Sequence, residues 1–153
     1  MSAIEKKILK GIKLTNYKFK KPPLVIGGLA LEYHGIRKTG HDYDYIVSPS
    51  DWKELKKEFP DKVFLFGGKT EKDIDATIQL KDIHVDLIKT LFQFNYTYLS
   101  KSAINHNDYK IISIEKLLML KTLGAVFNKH TKSIKDQQKI VKYIVKKNYD
   151  SNK

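Results

Sequence analysis

LVIGGLALEYHGIRKTGHDYDYIV, residues 24–47, is the stretch on which the reading of this chain turns. It opens on a short apolar run, passes through Gly27-Gly28 into a helix-like segment, breaks at Gly35, and ends with Asp42-Tyr43-Asp44 on a second apolar run. With 43–47 as a strand, Asp42 and Asp44 project together from its entrance, because residues i and i+2 of a strand point to one face. Two carboxylates held side by side repel each other. A hard divalent cation between them offsets that cost, and Mg²⁺ with its oxygen ligands is the usual occupant. Glycines at a strand-to-helix turn let backbone N–H groups approach a ligand closely, and the first helical turn adds unpaired donors and a positive dipole end. The Gly27-Gly28 turn is therefore phosphate-sized, although a double glycine is more often only a tight turn.

Working outward, residues 3–13 carry Ile4, Ile8 and Ile12 at helical spacing among lysines, which predicts an amphipathic helix ending around 11–16. Pro22-Pro23 punctuates the chain; 24–26 reads as a short buried strand and 29–33 as a helix. Ser48-Pro49-Ser50-Asp51 stops the second strand and caps a helix over 52–58, with Trp52, Leu55 and Phe59 as its apolar stripe. After a turn at Pro60-Asp61, 62–66 and 75–80 read as strands around a Gly67-Gly68 loop, and 83–88 as a hairpin partner across Lys81-Asp82. In that last strand Ile83, Val85 and Leu87 share one face and His84, Asp86 and Ile88 the other. Asp86 is thus flanked by apolar β-formers in a central strand. A buried, unpaired carboxylate costs several kcal/mol, so it calls for a cation or a hydrogen-bond network.

Residues 90–107 alternate Phe92, Phe94, Tyr96 and Tyr98, a pattern that serves either packing on the sheet or a substrate-facing wall, with packing favoured. A short strand at 110–112 and Ser113 as N-cap lead into an apolar helix over 114–126. The final helix, about 133–147, is expected to turn Ile134, Val141, Ile144 and Val145 inward and to carry Lys135, Lys139, Lys142 and Lys146 as a basic stripe. Such a stripe is usually a solvated face, though polyanions bind the same arrangement.

The 153 residues are enough to bury a core, and the absence of cysteine excludes disulfides and thiolate metal sites. His34, His41, His84, His106 and His130 lack zinc-site spacing and read as structural or surface residues, with His41 notable for standing against Asp42. No apolar run approaches the ~20 residues of a membrane span, and the first 21 residues lack the apolar core of a signal peptide, so a soluble cytoplasmic protein is expected. The formal charge is +12, and 28 of the 29 basic residues are lysine. Residues 1–20 contribute +5 and 129–153 contribute +6, leaving +1 for the middle. The basicity is terminal, on two segments that either flank one site or keep the protein soluble.

Gly27-Gly28 entering a helix, then Gly35, Arg37 and Thr39, then Asp42-x-Asp44, then Asp86 after apolar residues: in this order the chain resembles the nucleotidyltransferase superfamily with the DNA polymerase β-like fold. The likeness is to its small single-domain members of the abortive-infection toxin and aminoglycoside nucleotidyltransferase type. It spans roughly 22–90, and 113–145 more loosely, where Lys135-Asp136-Gln137-Gln138-Lys139 stands against the family's Lys-Asp-x-x-Asp. Three departures are visible. Gly40-His41 puts two residues between Thr39 and Asp42 where the family has one, Lys139 replaces the last Asp of the C-terminal motif, and the glycine pair lacks the serine many polymerase-like members carry.

The resemblance implies an α+β fold, a central mixed β-sheet flanked by helices with further C-terminal helices. It also implies one domain over 1–153, with its core at about 22–90 and a helical part at about 113–147. The implied activity is Mg²⁺-dependent transfer of NMP from an NTP to a hydroxyl, with pyrophosphate leaving. Asp42 and Asp44 would hold two Mg²⁺ ions; Asp86 would bind the second and act as base. The Gly27 and Gly28 amides, with Thr39 nearby, would take the phosphates, and Arg37 would clamp them through its planar fork. Acceptors of this family include RNA, protein side chains and small molecules; the terminal lysines lean toward RNA. Small members are met in toxin–antitoxin and phage-defence settings, so a partner protein belongs to the same expectation. The competing reading is a nucleotidyltransferase fold without turnover, acting as an RNA- or protein-binding module, with the Gly40-His41 insertion and Lys139 in its favour.

Overall fold

The computed structural model describes residues 1–66, 75–127 and 131–151. The chain divides into two compact units, Met1–Ser113 and Ile114–Lys153.

The first unit starts with α1 (Ala3–Leu14), set by a capping box in which Ser2 Oγ accepts from the Glu5 amide and the Glu5 carboxylate accepts from the Ser2 amide. Its Ile8 is fully buried, and the Ile8 carbonyl accepts a hydrogen bond from the Tyr45 hydroxyl at 2.8 Å, which ties the helix to the sheet. Then come β1 (Leu24–Val25), α2 (Gly27–Tyr33) and β2 (Tyr43–Ile46). The helix begins at Gly27, two residues earlier than the spacing predicts, because Gly27 turns the chain within one residue at φ +62°. Next, α3 (Pro49–Glu58) has Ser48 as N-cap and Pro at its first position, and buries Trp52 and Leu55. Phe59 lies beyond the last turn and is only half-buried, so the stripe stops at Leu55.

A 3₁₀ turn at Pro60–Lys62 leads into β3 (Val63–Phe66), followed after the undescribed 67–74 by β4 (Asp75–Leu80); the Gly67-Gly68 loop lies outside the described residues. A 3₁₀ turn over Lys81–Ile83 closes on His84 in the left-handed region, and β5 (Val85–Ile88) begins only then. Ile83 and His84 are thus connection, not strand. The alternating aromatics make a small hairpin, β6 (Thr90–Leu91) with β7 (Phe94–Asn95), then α4 (Tyr96–Leu99), in which Tyr96 is buried and Tyr98 exposed. The hairpin turn puts Phe92 and Gln93 at positive φ, and Asp75 holds it by accepting from both their amides and from Thr90 Oγ1. Finally β8 (Ile104–Asn105) and β9 (Lys110–Ile111) complete a seven-stranded mixed sheet, order β3-β4-β5-β2-β1-β9-β8. Its centre is apolar: Leu24, Val25, Tyr45, Ile46, Val85 and Leu87 have no solvent exposure.

The second unit is a helix pair, α5 (Ile114–Phe127) and α6 (Thr131–Ser151). Here the inward face differs from the expected one. Asp136 and Ile140 are buried, whereas Ile134, Val141 and Val145 are exposed and Ile144 is intermediate. Ile140 alone anchors a face that the apolar spacing had assigned to its neighbours. Among the described residues no helix is long and apolar enough to cross a membrane.

Candidate functional site

The site is built on β2, which is held on both sides. It pairs antiparallel with β1 and parallel with β5, in a register that sets Asp44 directly against Asp86. Parallel partners in one row face the same side of the sheet, on strands about 4.8 Å apart, so two of the three aspartates separated by 42 positions in sequence become neighbours. The register is fixed at its entrance by the Tyr43 amide donating to the His84 carbonyl at 2.8 Å, and on the other side by the Ile26 amide donating to the Asp44 carbonyl at 3.2 Å. The row continues into β4, where Gln79 pairs with Asp86.

Gly27 and Gly28 sit at the opposite end of the same row. A side-chain carbon at Gly27 would lie 2.8 Å from Asp44 Oδ2, and one at Gly28 would lie 2.5 Å from Thr39 Oγ1. The glycine pair therefore does two jobs: it makes the turn, and it lets the backbone lie against the Asp44 carboxylate and the Thr39 hydroxyl. The loop that carries Thr39 is held by Glu32, whose Oε1 accepts from the Thr39 amide at 2.9 Å and lies 3.4 Å from Lys7 Nζ.

Asp42, Gln79, Lys81, His84 and Asp86 line one open cleft of about 330 Å³. Asp86 is half-buried there, and its carboxyl is pushed above the ordinary carboxylate range, first by burial and then by the charge of Asp42. Asp42 is mostly exposed at the mouth, with its Oδ1 3.7 Å from His84 Nδ1. Arg37 is partly buried and its Nη1 donates to the Lys38 carbonyl at 3.0 Å, within its own loop. His41 is exposed. Of the other histidines, His34 bonds the Ile112 carbonyl and His106 the Tyr33 hydroxyl, both structural ties, and His130 lies outside the described residues.

Three carboxylates are a hard donor set suited to a divalent cation, and Asp86 in particular is a part-buried charge facing a second one of the same sign. No three His, Cys, Asp or Glu side chains among the described residues already surround one metal-sized point. What strand pairing supplies is adjacency, Asp44 beside Asp86 with Asp42 at the mouth. Sequence reasoning set His84 on the face of Asp86 but read it as a structural or surface residue, and it missed Gln79 because it put a two-residue connection at Lys81-Asp82, which would have set Thr77 opposite Asp86. The four-residue connection 81–84 sets Gln79 there instead and leaves His84 at the cleft. In the second unit Asp136 is buried and 3.0 Å from Lys121 Nζ, an internal ion pair.

No family model and no curated protein sequence matches the chain. Among solved structures it is similar to the aminoglycoside nucleotidyltransferase ANT(2")-Ia, whose structure holds adenylyl-2"-tobramycin. The identity is 14%, the TM-score 0.51, and the match covers 92% of this chain and 87% of that one. The chain has the nucleotidyltransferase fold, a central mixed sheet flanked by helices with further helices at the C-terminus.

Proposed function

We propose that the protein is a nucleotidyltransferase that moves NMP from an NTP to a hydroxyl acceptor and releases pyrophosphate. The observation that carries this is the register of β2 against β5, which sets Asp44 between Asp86 on one side and the Gly27-Gly28 turn on the other. Asp42, Asp44 and Asp86 would hold Mg²⁺, two ions by the resemblance, and bound there it would neutralise triphosphate charge and polarise the phosphorus under attack.

The chain's own groups divide the remaining work. The amides at Gly27 and Gly28, on residues with no side chain of their own, are the donors for phosphate oxygens, and Thr39 adds a hydroxyl directly beside Gly28. Asp86, with its carboxyl pKa raised, is the group suited to take the proton of an attacking hydroxyl. Gln79 beside it is a neutral donor and acceptor for orienting that hydroxyl or the carboxylate. Arg37 supplies the forked cation for the phosphates on release of its bond to the Lys38 carbonyl. RNA is the acceptor that the lysine-rich ends favour, in the toxin–antitoxin or defence setting in which small members of this family are met.

One observation favours a second reading, a nucleotide-binding module without turnover: Arg37 spends a donor on its own loop. The two part on one assay. With Mg²⁺, labelled NTPs and total RNA or lysate, the wild type should transfer label and release pyrophosphate, and Asp86→Asn or Asp44→Asn should lower transfer by about 10³-fold or more while leaving the thermal melt cooperative. No label transfer and no pyrophosphate from a wild type that binds NTP would establish the module instead.

A further inference from the structure

Between α1 and β1 the chain makes a loop whose construction exceeds what a connection needs. Asp51, fully buried at the start of α3, accepts from the Tyr17 hydroxyl at 2.8 Å and from the amides of Lys20 and Lys21 at 2.9 and 3.1 Å. Asn16 turns the loop in the left-handed region, and buried Thr15 bonds the Ile12 carbonyl. The Tyr17 ring, fixed by its hydroxyl, meets Phe19 edge-on with centroids 4.9 Å apart. The pinned loop walls a cavity of about 360 Å³, with Ile12, Phe19 and Pro22 as apolar surface and Lys13, Lys18 and Lys20 around it. Asp108 is the one carboxylate of its lining, and among the described residues the three lysine ammoniums are tied in no ion pair.

The volume falls within the range of small-molecule sites, and the wall is set before any ligand arrives. An aromatic edge and apolar floor beside surplus positive charge suit a ligand that has one flat apolar face and one anionic group. A nucleoside phosphate has both, since every base has a π-face and its phosphate pairs with lysine. The cavity is not the carboxylate cleft. The two share no lining residue: the cavity is walled by residues 9–22 with Asn107 and Asp108, the cleft by Asp42, residues 79–81, His84 and Asp86.

We propose that this cavity is a second site of unit Met1–Ser113, taking a nucleoside phosphate with its base against Phe19 and its phosphate among Lys13, Lys18 and Lys20. The ligand is either a free mononucleotide or one nucleotide of a single strand, and the site works without metal.

The test is equilibrium binding of the full chain in EDTA, by anisotropy of fluorescent AMP and GMP and of a short 5′-labelled oligoribonucleotide. Saturable binding is expected, weakened about fivefold or more by Phe19→Leu and by Lys18→Gln with Lys20→Gln, and unmoved by Asp86→Asn. Binding of the mononucleotides identifies the free ligand as the source, and binding of the oligonucleotide alone identifies a strand. Inorganic polyphosphate is the control for charge. Polyphosphate competing as well as RNA, with Phe19→Leu without effect, overturns the site, as does the absence of saturable binding from a wild type with a cooperative melt. Loss of binding in Asp86→Asn would assign the nucleotide to the cleft and overturn the proposal as well.

Discussion

Asp86 is where the physics of this chain is most exposed to test. Burial and the charge of Asp42 raise its carboxyl pKa above the ordinary 3.8, so once ionised it destabilises the fold. Below 3.8 the group is protonated in folded and unfolded chains alike and costs nothing. As pH rises through the raised folded value the cost enters in full, and it persists at neutral pH. Asp86→Asn in EDTA should therefore melt above the wild type at pH 7, and the gap should close as pH falls toward 3.8. Mg²⁺ should raise the wild-type midpoint more than the variant's, because the cation removes the same repulsion. A gap that does not change between pH 7 and pH 4 would show that Asp86 carries no buried charge, and would take with it the argument for a cation there. The sequence made this residue legible through a single anomaly, a carboxylate between Val85 and Leu87. It could not show Gln79 as a neighbour, since that register depends on two extra residues in a connection that closes on the left-handed turn at His84.

At the scale of elements, strands and caps were readable because their signals are local. Ser48 before Pro49, or the apolar runs around β1 and β2, specify their own geometry within a few residues. The last helix was read less well for a physical reason. The apolar stripe Ile134, Val141 and Val145 has helical spacing, but α6 pairs Asp136 with Lys121 of α5 and buries Ile140 instead. A buried ion pair, Lys121 with Asp136, outranks the greasier face, and no periodicity in one helix reveals a cation on another. This makes a sharp expectation for the second unit. Asp136→Ala leaves the Lys121 ammonium, mostly buried, without its carboxylate and should cost about 3–5 kcal/mol in urea unfolding, whereas Lys121→Met with Asp136→Leu should return close to the wild type. A mild single substitution would mean that the pair is solvated, and would reopen the reading of Lys135-Asp136 as a working motif.

For the whole molecule, the question the sequence raised and the fold sharpens is what +12 is for. The charge is uneven along the chain: its middle is close to neutral while its two ends hold +5 and +6. On α6 Lys135, Lys139, Lys142 and Lys146 lie exposed at helical spacing, a row of charges about 5.4 Å apart per turn. An RNA acceptor held by that row releases counterions on binding, so log affinity should fall linearly with log salt, by about 0.7 per phosphate neutralised on a single strand. Replacing all four lysines by glutamine should then flatten the slope by up to about 3 and leave any transfer to a small neutral acceptor unchanged. The side chains are solvent-facing, so the variant should fold as the wild type does. A slope that stays the same in the variant would remove α6 from the acceptor's path and leave its lysines as a solvated face. In that case, under the proposed transfer, Lys81, His84 and Gln79 of the carboxylate cleft are the groups left to test for acceptor selection.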